Sequence, residues 1–138
     1  MGGELRAARV GGGGEVVILG RMHIDGNPVP KKRARTVALP GDRVRTYTPK
    51  ETVAYERLIG LSWRGPRGFA DPVKVTVAVV EGRTGHPADL DNYVKSVLDG
   101  LNGIAFLDDK QVVGLAASII RNDTRPGIDV IVEGWPVH

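Results

Sequence analysis

Val73, Val75, Val77 and Val79 occupy alternate positions in the stretch 72–81, with Lys74 and Thr76 between them. Side chains alternate across a strand, so this spacing predicts a half-buried strand with one apolar face. Such a face must be covered, which restricts the chain to architectures with a second layer. A suitable cover follows in the sequence. Leu90, Val94, Val97, Leu98 and Leu101 recur at helical spacing and form one apolar stripe. A helix is expected here, opened by Asp89 as N-cap and ended by Asn102-Gly103. Asp91 and, one turn on, Lys95 are expected at the margin of the stripe, half-sheltered from water.

The remaining elements are read by the same rules. Residues 1–14 are small, polar and glycine-rich, which predicts a flexible tail ahead of a single domain over 15–138. A first strand is expected over 15–23, centred on Val16, Val17, Ile18 and Leu19. Asp25-Gly26 marks a turn, and Pro28 and Pro30 hold the chain extended. The basic run 31–35 is placed in a loop. Thr48, Pro49 and Glu51 read as N-cap, first helical residue and capping box of a helix that buries Val53, Ala54, Leu58 and Leu61. That helix is expected to end near Arg64-Gly65-Pro66. The stretch 111–121 is apolar on both faces, as a central strand would be. Ile128, Val130 and Val132 are expected on its antiparallel hairpin partner, and Trp135 onward is read as tail. The order β-loop-α-β-α-β-β predicts an α+β domain: a mixed sheet with two helices packed on one face.

Acidic residues gather at both ends of the second helix. Asp89 and Asp91 open it, and Asp108 and Asp109 follow it. Like charges gathered in one place repel unless a cation holds them. Carboxylate oxygens suit a hard divalent ion such as Mg²⁺, which polarises a phosphodiester and acidifies its bound water. Lys95 could stabilise charge developing on phosphate oxygens. The plainer readings are a helical Asp91–Lys95 ion pair and an Asp108-Asp109 turn. Asp99 is read as solvated, His86 as a surface residue and Tyr93 as packing. Trp63 and Phe106 are read as core, although aromatic rings can stack on bases. His23 and His138 have less support as site residues.

The net charge is +3, but seven basic residues between 31 and 50 face Asp42 alone, so that segment carries +6 and the remainder −3. A basic segment set against an acidic cluster suggests a polyanionic ligand beside a carboxylate-bound metal. With no cysteine, disulfides, thiolate zinc sites and cysteine nucleophiles are excluded. No apolar run reaches the roughly 18–20 residues needed to span a bilayer, and no secretory segment is recognised. A cytoplasmic protein without membrane contact is expected.

Three segments together resemble the RusA family of Holliday junction resolvases. Asp89-Leu90-Asp91-Asn92-Tyr93-Val94-Lys95 is similar to its Asp-x-Asp-Asn-x-x-Lys motif. Leu107-Asp108-Asp109-Lys110-Gln111-Val112 is similar to its Asp-Asp-x-Gln-Val motif. The proline-flanked basic run around Lys31, Lys32, Arg33 and Arg35, followed by Tyr47-Thr48-Pro49, resembles the N-terminal region of phage members. Ala88 departs from the family, many of whose members carry an aspartate or a basic residue there. The resemblance implies a Mg²⁺-dependent endodeoxyribonuclease, with Mn²⁺ able to stand in, acting in recombination and repair. It further implies a homodimer that nicks opposed strands of a four-way junction symmetrically, in a bacterial or phage-infected host cell. Asp89, Asp91 and Asp109 would be the catalytic metal-binding acids, Lys95 the catalytic lysine and Asp108 an auxiliary metal ligand. Lys31, Lys32, Arg33 and Arg35 would contact DNA. Two other readings stay open from the residues: a non-catalytic branched-DNA-binding protein, and a metal-dependent phosphohydrolase of small nucleotides.

Overall fold

The computed structural model describes residues 16–136. The expected tail over 1–14 and His138 lie outside the described residues. The elements run β1 (Val17–Asp25), β2 (Arg35–Leu39), β3 (Arg43–Tyr47), α1 (Lys50–Ser62), β4 (Val73–Gly82), α2 (Leu90–Leu101), a 3₁₀ turn (Asp109–Gln111), β5 (Val112–Asp123) and β6 (Gly127–Gly134). Strands β1, β6, β4 and β5 lie side by side in that order. β1–β6 and β6–β4 are antiparallel, and β4–β5 is parallel. This is the mixed sheet of the expected α+β fold, with α2 as the crossover that parallel neighbours require.

The alternating valines anchor the sheet. Val73, Val75, Val77 and Val79 are each no more than 1% exposed. They meet Ile128, Val130 and Val132 of β6, Tyr55 and Ile59 of α1, and Tyr93, Val97 and Leu101 of α2 in one core. Both helices therefore cover the same face. Burying each such side chain stabilises the fold by about 1.5–3 kcal/mol.

Four expectations are corrected. First, β5 and β6 do not form a hairpin, and β5 is an outer strand rather than a central one. The α2 crossover sets β5 on one side of β4, and β6 takes the other side, where its inward residues find cover. The intervening turn crosses the end of β4 at Gly82, where a Cβ would lie 2.4 Å from Asn27 Oδ1 and 3.1 Å from Pro126 Cγ. Second, the segment after the basic run is not all loop: β2 and β3 pair as a two-stranded ribbon. Gly41 and Asp42 adopt φ of 78° and 61°, and this left-handed turn reverses the chain.

Third, α1 starts at Lys50 with Pro49 as its N-cap and no side-chain cap, so Thr48 and Glu51 do not form a capping box. Its buried face carries Thr52, Tyr55 and Ile59, while Val53, Ala54, Leu58 and Leu61 are exposed. The close approach of α2 selects that face, since a Cβ at Gly100 would lie 2.7 Å from Ile59. Fourth, Trp135 is tied down: its N–H donates to Pro72 at 2.9 Å, and its ring lies over Gly114.

Candidate active site

α2 begins immediately after Asp89, which takes the N-cap position without a side-chain capping bond. Its buried residues include Tyr93, Val94, Val97 and Leu101, which centres the stripe away from positions 91 and 95. Asp91 and Lys95 are consequently exposed, not half-sheltered at the margin. After Leu101 the chain reverses at Gly103, with φ of 78°, and Gly103 N–H donates to Phe106 at 2.8 Å. The returning segment hydrogen-bonds to residues 68–69. Gln111 then fastens the acidic turn. Its amide nitrogen donates to Phe69 and Asp71 carbonyls at 2.7 and 2.9 Å, and its oxygen accepts from the N–H groups of Leu107 and Asp108, both at 2.9 Å.

This fold-back brings Asp109 to the same pocket as Asp89, Asp91 and Lys95, a space of about 900 Å³. Lys31, Lys32, Arg33 and Arg35 line it too, so both candidate sets meet there. Asp108 is absent from the lining. It caps the 3₁₀ turn by accepting from Lys110 N–H at 2.9 Å. That backbone bond, helped by a hydrogen bond with Asp109, holds the Asp108 carboxyl below its ordinary range. The same contact with Asp108 pushes Asp109 up, because two adjacent carboxylates resist being charged together.

Among the described residues, no three His, Cys, Asp or Glu side chains converge closely enough to enclose a metal. Mg²⁺ makes no such demand: it commonly binds through one or two carboxylates, several waters and substrate phosphates. The hard oxygen donors of Asp89, Asp91 and Asp109 around one pocket fit that chemistry.

The four basic residues are not equivalent. Lys31 Nζ donates to Glu56 at 2.6 Å and lies 3.0 Å from Asp99, while its N–H donates to Asn92 at 2.8 Å. It thus staples the loop to both helices, and Asp99 is paired rather than merely solvated. Burial would lower the pKa of the Lys31 ammonium, but its bonds to Glu56 and Asp99 outweigh that and raise it. Lys32 pairs with Glu51. Arg33 and Arg35 make no ion pair among the described residues. Beyond them, the ribbon register sets Arg35 opposite Tyr47, Val37 opposite Arg45 and Leu39 opposite Arg43. Opposed residues share a face, so Arg35, Arg43 and Arg45 project from one side.

Trp63 and Phe106 are buried in the core, and so is Tyr93. His86 is exposed beside a smaller cavity. His23 lies between Asp25 and Asp129, 2.7 Å from each, and is not among the residues lining the acidic pocket. Sequence reading overlooked Glu81, a buried carboxylate that binds Tyr93, Arg121 and the Ala88 N–H. The pattern to find it was present, since the alternation of valines at 73–79 continues to position 81.

The sequence model of the family described as Endodeoxyribonuclease RusA matches residues 25–133. No curated protein matches the chain. No helix among the described residues is long and apolar enough to cross a membrane.

Proposed function

Because this chain belongs to the RusA endodeoxyribonuclease family, we propose that it resolves four-way DNA junctions by paired symmetric nicks, using Mg²⁺, in recombination and repair. The observation that carries this reading is one pocket walled by carboxylates on one side and a basic segment on the other. A phosphodiester drawn in by the basic wall would meet the acids there. Asp89, Asp91 and Asp109 would hold the cation, in part through its bound waters, with Asp108 restraining the turn beside Asp109. Bound Mg²⁺ would polarise the phosphodiester and supply an acidified water. Lys95 would sit against the phosphate oxygens and offset charge that develops on them. Arg33 and Arg35, with Arg43 and Arg45 on the ribbon, would grip the phosphates of an arm, and a two-stranded ribbon is narrow enough for a major groove.

Symmetric nicking calls for two sites, and β5 supports a homodimer. It is a 12-residue outer strand whose Val113, Leu115 and Ile120 are 52%, 51% and 59% exposed. A long apolar edge invites pairing with another strand. Antiparallel pairing of β5 with its copy would be self-complementary and would set the two acidic turns about one axis.

The deciding experiment offers a synthetic four-way junction, linear duplex and free nucleotides, each with and without Mg²⁺. Paired nicks in the junction alone, only with metal, are expected. Binding without cleavage would select a junction-binding protein, and nucleotide hydrolysis would select a phosphohydrolase. Leu115→Glu should halve the mass seen in sedimentation and uncouple the two nicks. An unchanged mass would remove β5 from the interface.

A further inference from the structure

Glu81 ends the inward-facing series that starts at Val73, so a carboxylate stands where valines stand before it. Its side chain is 8% exposed. A charge buried there is costly unless it is paired and hydrogen-bonded. Three donors meet that need. The Tyr93 hydroxyl at 2.5 Å and the Ala88 N–H at 2.9 Å donate to Oε2, and Arg121 donates to Oε1 at 2.7 Å. Arg121 also donates to the Ala88 carbonyl at 3.1 Å. Both backbone polar groups of Ala88 are therefore gripped. Ala88 immediately precedes Asp89, and it ends a loop in which residues 83–87 are all exposed.

Stability alone does not account for this arrangement. A buried ion pair is often no better than apolar residues of similar volume, and four valines fill the equivalent places on the same strand. What the cluster adds is a direction: β4, α2 and β5 each contribute one member, Glu81 and Arg121 bond the residue before Asp89, and Tyr93 holds Glu81 in place. Burial pushes the Glu81 carboxyl up, but the bonds from Tyr93, Ala88 and Arg121 outweigh it and hold the group below the usual carboxylate range. The carboxylate thus stays charged and keeps its grip on Arg121.

We propose that Glu81, Tyr93 and Arg121 are positioning residues that fix the backbone at Ala88 and so aim the Asp89 carboxylate into the pocket. This rests on the reading of Asp89 as a catalytic acid. None of the three touches the reacting phosphate. Their effect passes through the Ala88 peptide, and without it the exposed loop would let the first turn of α2 wander. Catalysis is sensitive to such motion, since a misplacement of about 1 Å can cost about 10²-fold in rate.

The test uses the full chain, a synthetic four-way junction and Mg²⁺. Tyr93→Phe keeps the ring and removes the hydroxyl, Glu81→Gln keeps the shape and removes the charge, and Arg121→Lys cannot span both partners. Each is expected to cut about 10–10²-fold more slowly in single turnover, with metal-free junction affinity unchanged. In the metal-free proteins, hydrogen exchange should quicken at the amides of residues 88–92 and stay at the wild-type level in the valine strand. Wild-type rates in Tyr93→Phe and Arg121→Lys, with Asp89→Asn inactive, would overturn the positioning role alone. Rate losses that merely track the folded fraction in thermal melts would also overturn it. If Asp89→Asn itself cuts at the wild-type rate, the underlying reading of Asp89 fails instead.

Discussion

The acidic wall of the pocket is carried by α2, whose inner residues Val97 and Leu101 are fully buried, and by a turn that Gln111 clasps from four directions. The basic wall is carried by a loop and by a ribbon whose residues 35–38 and 43–47 are all exposed. The two walls thus differ in what holds them. Core packing fixes the acids, whereas the basic segment hangs from one main-chain bond, Lys31 N–H to the Asn92 carbonyl, from the Lys32 N–H bond to the Thr52 hydroxyl, and from the ion pairs of Lys31 and Lys32. A lone two-stranded ribbon is marginal in water. The contrast suits the proposed division of labour, because chemistry needs fixed geometry and grip on a pliant polyanion tolerates adjustment.

The sharpest way to break this comparison is to disarm the rigid wall. Asp91→Asn keeps size and removes charge, and it should abolish nicking while junction binding stays intact or tightens, because repulsion of phosphate falls. Wild-type cutting in Mg²⁺ by this variant would remove Asp91 from the site. A smaller loss is expected from Lys95→Ala: about 10²–10³ in single-turnover rate, the typical cost of one transition-state contact, with affinity and melting temperature unchanged. A protein that melts earlier and cuts normally would make Lys95 a surface residue.

The pliant wall should respond in binding rather than rate. Arg33→Ala with Arg35→Ala should flatten the slope of log K against log salt by about two units if both touch duplex phosphates. Cleavage at saturating protein should persist. Lys31→Ala should barely alter the slope, because Glu56 and Asp99 already hold its ammonium. It should instead lower stability by about 1 kcal/mol, the upper end for a partly exposed ion pair. Equal slopes for the double arginine variant and the wild type would make the basic wall a solvated surface.

Legibility in the sequence follows the same divide between local and long-range causes. α2 was readable because its stripe is strongly one-sided and Asn102-Gly103 stops it. The buried face of α1 was not, because apolar residues lie on two of its faces and the choice between them waits on where Gly100 of α2 approaches. Thr48-Pro49-Lys50-Glu51 matches a capping box in spelling, yet Glu51 is taken by Lys32 from the basic loop. The ribbon was hidden by its flanking prolines, and its reversal depends on a non-glycine residue, Asp42, adopting positive φ. For the candidate site, the motif residues were visible by spacing, but Lys31 looked like its neighbours until the fold set it between two carboxylates. Glu81 was hidden in plain alternation.

By itself, then, the sequence determined the elements whose cause lies within a few residues: the valine strand, the acidic helix, its glycine stop and the family motifs. Periodicity and backbone preference act locally and need no partner to be read. Only the tertiary structure decided the strand order, the buried face of α1, the bond between Lys31 and Asp99, and the clamp on Ala88. Each depends on groups far apart in the chain, and which of several locally acceptable pairings prevails is settled by which one buries the most apolar surface while leaving the fewest polar groups unmet.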